Sequence, residues 1–232
     1  MATLINIETS TEICSVALST EGKIVWHKEN YDGMSHSVSL SKFIEEMMDY
    51  AKKEGYKIDG VAVSCGPGSY TGLRIGVSTS KGLCYGLDVP LISVNTLEVM
   101  ANHVLKNNEV GENSLLCPMI DARRMEVYTA FYDKSLCQKR ETSADIIDEN
   151  SYLDIKENVL FFGNGASKCQ SALNRPNFKL IENVVPLATD MVELSHAAFN
   201  QKKFEDVAYF EPFYLKEFVA TVAKNKVFEN NK

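Results

Sequence analysis

Gly66-Pro67-Gly68-Ser69-Tyr70-Thr71-Gly72-Leu73-Arg74-Ile75-Gly76 decides how the rest of the chain is read. It follows Gly60-Val61-Ala62-Val63-Ser64-Cys65, an apolar, β-branched run of strand type. It leads into Val77–Leu87, which reads as a helix rich in small residues. Pro67 has no N–H for a ladder and fixes its own φ, so it helps to end the strand. Gly66, Gly68 and Gly72 admit backbone angles closed to other residues. Ser69 or Thr71 can cap the new helix. Such a turn presents backbone N–H groups to whatever sits above it, which suits an anion. It suits equally a second backbone that must approach closely.

Two phosphate fingerprints do not fit. No Gly-Lys-Ser/Thr closes the turn, so it is not a Walker A loop, and the third glycine of a GxGxxG pattern falls one residue late, at Gly72. Within the helix, Gly72, Gly76 and Ser80 are spaced four apart, as are Ser78, Gly82 and Gly86. Glycine weakens a helix interior by about 1 kcal/mol relative to alanine. Keeping Gly76, Gly82 and Gly86 in one helix therefore implies a packing reason. Packing within the chain and packing against a partner both supply one.

Upstream of the turn, Leu4–Glu8, Cys14–Ser19 and Lys23–Lys28 read as strands joined by short turns, an antiparallel meander. Leu40, Phe43, Ile44, Met47, Met48 and Ala51 follow at the spacing of one apolar helix face, with Ser35 or Ser37 as the cap and Gly55 as the stop. Downstream, Pro90–Val94 is a strand, and Asn95 or Thr96 starts a helix that runs to about Leu105. The order βββαβα is that of a ribonuclease-H-like unit. The polar stretch from Lys106 to Ser114 suggests a boundary, giving halves 1–106 and 107–216, with 217–232 as a tail of unassigned role. In the second half, Leu115–Asp121, Glu126–Tyr132, Gln138–Thr142, Val159–Phe162 and Lys179–Ile181 read as strands. Ala166–Leu173 reads as a short helix, and Met191, Leu194, Ser195 and Ala198 mark a last one. The second half weakly repeats the first, so the expected fold is a duplicated α/β protein.

Composition narrows the function. The chain has 232 residues, 45% hydrophobic and 24% charged, which fits a globular protein. Its N-terminus lacks the basic region and apolar core of a signal peptide, and no apolar run is long enough to span a bilayer. A cytoplasmic location without membrane contact is expected. A formal net charge of −7 argues against gripping nucleic acid alone. The six cysteines include no CxxC pair, and the four histidines no HxxxH pair, so no metal site is assigned. No Ser-His-acid nucleophile motif is present, and no catalytic residue is assigned. Glu8, followed by Thr9 and Ser10 at the end of the first strand, could hold a metal ion beside phosphates, or could belong to a turn and cap cluster. The candidate anion or nucleotide set is therefore Glu8, Ser10, Gly68, Ser69 and Thr71.

The glycine stretch closely resembles the hallmark of the TsaB family, also called YeaZ. Three further stretches agree with it: Ile7-Glu8-Thr9-Ser10-Thr11-Glu12-Ile13-Cys14-Ser15-Val16-Ala17, Asp121-Ala122-Arg123-Arg124-Met125-Glu126-Val127-Tyr128, and Pro212-Phe213-Tyr214-Leu215-Lys216. The resemblance covers residues 1 to about 216. It implies the fold of actin and the sugar kinases, two ribonuclease-H-like halves. It also implies a noncatalytic partner role beside TsaD, the catalytic subunit, and TsaE, an ATPase. Together they transfer threonylcarbamoyl from its adenylate to the adenosine beside the tRNA anticodon. ATP and tRNA would then be met through the complex. By the same resemblance, the two N-terminal helices form the TsaD-binding face, with Leu40, Phe43, Ile44, Met47, Gly72, Gly76, Ser80 and Gly82 as the expected contacts. A homodimer could use that surface when TsaD is absent. Two departures stand out. Glu8 replaces the family's usual Asp, which disfavours nucleotide hydrolysis by this subunit. Lys216 replaces the usual Arg, which removes a bidentate fork and keeps the charge. The rival reading is an ATP-binding kinase or hydrolase that uses Glu8 and the glycine turn.

Overall fold

A computed structural model describes residues 2–33 and 36–216. Ser35, a candidate cap, and the tail 217–232 lie outside the described residues. The first half builds a five-stranded sheet from β1 (Thr3–Glu8), β2 (Cys14–Thr20), β3 (Lys23–Asn30), β4 (Gly60–Gly66) and β5 (Leu91–Asn95), in the order β3-β2-β1-β4-β5. The meander β1-β2-β3 is antiparallel, and β4 and β5 join in parallel. They arrive by helical crossovers, α1 (His36–Glu54) before β4 and α2 (Tyr70–Leu87) before β5. The second half repeats the order with β6 (Ser114–Asp121), β7 (Glu126–Tyr132), β8 (Gln138–Ile146), β9 (Asn158–Phe162) and β10 (Phe178–Ile181), as β10-β9-β6-β7-β8. The duplication is therefore real, and the fold is actin-like.

Among the described residues, only the first half carries the full βββαβα set. No α-helix separates β8 from β9, and a single 3-10 turn, Ser167–Cys169, stands where the helix Ala166–Leu173 was expected. The helical period there comes from Ala166, Cys169 and Leu173, all buried in the second core. The segment instead runs as successive turns, with Ala166 N donating to the Gly163 carbonyl, Cys169 N to that of Ala166 and Gln170 N to that of Ser167.

Packing crosses the division at 106/107. Helix α3 (Thr96–Asn107) is capped by the Asn95 side chain, which accepts from Leu97 N and Glu98 N. It buries Leu97, Met100, Ala101 and Val104 against Leu116, Ile120, Ala130 and Phe162 of the second sheet. Its Val99 points the other way, into a core with Leu4, Ala62, Ile92 and Val94 of the first. Helix α4 (Val192–Asn200) is late in the chain yet packs on β1 and β5. Ser195 Oγ donates to Asn6 Oδ1 at 2.6 Å, and Ser19 Oγ meets His196 Nε2 at 2.9 Å. The halves thus share the packing of α3 and border a common cleft.

Candidate functional site

All four signature stretches meet at that cleft, which encloses about 930 Å³. Ser10, Thr11 and Glu12 come from the β1–β2 turn, and Pro67 to Gly72 from the glycine turn. Asp121, Ala122, Arg123 and Tyr128 come from the β6–β7 hairpin, and Phe213 to Lys216 from the closing motif. Sequence spacing could not bring these four together, because they lie in both halves of the duplication.

The glycine turn has one clear physical use. A Cβ on Gly68 would lie 2.3 Å from the Ser10 carbonyl oxygen, one on Gly72 2.1 Å from that of Thr9, and one on Gly76 2.3 Å from Thr9 Oγ1. The turn therefore sits directly on the Thr9–Ser10 backbone. The contact is hydrogen bonded as well as close. Ser69 N donates to the Ser10 carbonyl at 2.6 Å, and Thr9 Oγ1 donates to the Gly72 carbonyl at 2.8 Å.

This seating takes up groups that an anion would need. The Ser69 N–H is bound to Ser10, and its hydroxyl caps α2 by accepting from Gly72 N at 3.3 Å. The Ser10 N–H donates to Glu8 Oε1 at 2.5 Å. Of the candidate anion set, Ser10, Gly68, Ser69 and Thr71 line the cleft together. Glu8 does not line it; the residue is 0% exposed beneath the turn. Burial pushes its carboxyl up from its ordinary value, against the opposing pull of the Ser10 N–H that it accepts.

The sign of that shift makes a prediction. The folded chain holds the Glu8 proton to a higher pH than the unfolded chain does. Its stabilising share is complete below the unfolded value and declines as pH rises through the folded one. Glu8→Gln keeps the shape and removes the titration. Its denaturant midpoint should match wild type in acid and equal or exceed it at mildly alkaline pH. A variant clearly less stable than wild type in alkali would show that the ionised carboxylate is held by a partner.

The expected partner contacts divide sharply, and most need correction. Leu40, Phe43 and Met47 are buried in the first core with Ile5, Val16 and Val63, and Ile44 is half-buried at its edge. The apolar face of α1 covers the first sheet, so those side chains are not open to another protein. Gly72 and Gly76 face Thr9, and Ser80 is fully buried. That small-residue stripe is the inner face of α2. The second stripe looks outward: Ser78, Gly82 and Gly86 are exposed, and a Cβ on Gly82 or Gly86 would meet nothing within 4 Å. Two exposed apolar residues that the sequence reading passed over are Tyr85 on the same helix, 88% exposed, and Val38 on the neighbouring α1, 66% exposed. The signal for Tyr85 was its place one residue before Gly86, in the phase of the outer stripe.

Two sheets of identical order, joined by a shared helix and closing on a cleft, define the class: actin-like proteins built from duplicated ribonuclease-H-like halves. A family model described as "TsaD: tRNA N6-adenosine threonylcarbamoyltransferase" matches residues 30–230. The Escherichia coli (strain K12) tRNA threonylcarbamoyladenosine biosynthesis protein TsaB is 30% identical over 226 residues, covering 94% of this chain and 96% of that protein. The Haemophilus influenzae protein of the same description is 28% identical over 224 residues, covering 92% of this chain and 93% of that protein. The solved structure of YeaZ from Pseudomonas aeruginosa superposes with a TM-score of 0.78 at 26% identity, covering 93% of this chain and 100% of that one. The chain belongs to the TsaB (YeaZ) family, within the wider group that the TsaD model describes.

Proposed function

We propose that this chain is a noncatalytic partner subunit in threonylcarbamoyladenosine formation on tRNA, acting through a TsaD-type catalytic subunit. One observation carries the reading. The glycine turn closes on the chain's own Thr9 and Ser10, and the same helix turns an open ridge, Ser78-Gly82-Gly86 with Tyr85, to solvent. Small residues let a partner helix approach closely, and an exposed tyrosine supplies amphipathic contact area. A TsaE-type ATPase and tRNA would then be met through the assembled complex, and a homodimer could use the ridge when the catalytic subunit is absent. The test is group transfer itself. Purified TsaD-type and TsaE-type proteins, given the threonylcarbamoyl adenylate and tRNA, should modify the tRNA efficiently only when this chain is added. Equal product without it would end the proposal. So would ATP hydrolysis by the isolated chain that disappears in Glu8→Ala.

A further inference from the structure

The closing motif has a structural role that a partner function does not require. From Glu205 to Tyr214 the chain is tied to the first half at several points. Glu205 N donates to the Leu91 carbonyl at 2.9 Å, and Ser93 Oγ donates to Glu205 Oε1 at 2.5 Å. Lys81 Nζ on α2 donates to the carbonyls of Ala208 at 2.9 Å and Phe210 at 3.2 Å. Phe213 N donates to the Cys65 carbonyl at 2.8 Å, at the end of β4. The Phe213 carbonyl then lies against Gly66, where a Cβ would approach it to 2.8 Å. Gly66 has φ +112, a conformation that favours glycine, so this residue admits the strap as well as the turn. Tyr214 places its ring 5.0 Å from that of Tyr70, and Arg74 lies 4.2 Å over Tyr70 and donates from Nε to the Tyr214 hydroxyl at 3.3 Å.

Two residues later the strap changes sides. Lys216 Nζ pairs with Glu126 Oε2, at the start of β7 in the second half. Glu126 is fixed from its own side as well, because Lys168 Nζ donates to its carbonyl at 2.7 Å while also pairing with Asp121. The halves also share the packing of α3. At the cleft, Lys216–Glu126 ties the strap to the second sheet, while His103–Asp190 and Lys106–Glu193 link α3 to the later chain elsewhere.

We propose that residues 204–216 form a clasp, and that the Lys216–Glu126 pair holds the second half closed over the cleft. Its side chains are 42% and 21% exposed, so it is a weak, screened link. A weak link suits this task, since it shifts the ratio of open to closed forms without locking either. Lysine in place of arginine weakens it further, because an ammonium cannot form the two parallel bonds of a guanidinium.

The test is a distance measurement across the cleft, using spin labels on Glu12→Cys and Arg123→Cys, two exposed positions that line it from opposite halves, with the exposed native Cys137 changed to Ser. Lys216→Ala and Glu126→Gln should each raise the share of longer distances by roughly two- to fivefold, the range for an exposed pair. Lys216→Arg should lower that share. The charge-swapped double variant, Lys216→Glu with Glu126→Lys, should return the distribution toward wild type. An unchanged distribution in Lys216→Ala, at an unchanged melting temperature, would overturn the clasp. So would single-variant opening that the swap fails to restore.

Discussion

Gly72→Ala should destabilise the fold, and Gly82→Ala should not. The two glycines lie in the same helix and are indistinguishable by residue type. At Gly72 a methyl group would sit 2.1 Å from the Thr9 carbonyl oxygen. Thr9 is fully buried and bonded to the Gly72 carbonyl, so it has little room to retreat. Overpacking of this kind costs about 1–3 kcal/mol, and more where backbone must move. At Gly82 nothing lies within 4 Å of the added carbon. There the change should stabilise by up to about 1 kcal/mol, because alanine loses less conformational entropy in a helix. Chemical denaturation with an unchanged m-value reads both. A Gly72→Ala variant as stable as wild type would mean that the turn does not seat on Thr9.

The second large effect concerns binding. Gly82→Arg and Tyr85→Arg place a long charged side chain on the outward ridge of α2, where neither disturbs the core. If the ridge receives a helix of the catalytic subunit, each should weaken association by about thirtyfold or more, the scale of a buried interface hot spot. Thermal unfolding of the isolated variants should stay near wild type. Full affinity in both would move the contact elsewhere.

Much of the fold was legible because its signals are local. The apolar strand runs, the Ser69 and Asn95 caps and the order of elements in the first half follow from neighbouring residues. The use of the helix faces was not legible. The spacing of Leu40, Phe43 and Met47 shows that they share a side, but the same spacing serves a sheet of the same chain or a second subunit. Their sheet is their own. The two stripes of α2 posed the same problem, since Gly76 and Gly82 differ only in which way the helix is turned. That orientation is set by Thr9, more than sixty residues away in sequence. The cleft depends on still longer separations, such as Lys216 with Glu126 across 90 positions. The second half misled for a different reason. Ala166, Cys169 and Leu173 carry a true burial pattern, and a chain of tight turns with one 3-10 turn meets it as well as an α-helix would.

The proposed seat of the partner is the outer face of α2. Calorimetric titration of the wild-type chain into the TsaD-type subunit from the same cell tests it most directly. The expected result is saturable binding with one chain per catalytic subunit, largely removed by Gly82→Arg. No heat and no co-elution with a folded, active TsaD-type subunit would contradict it.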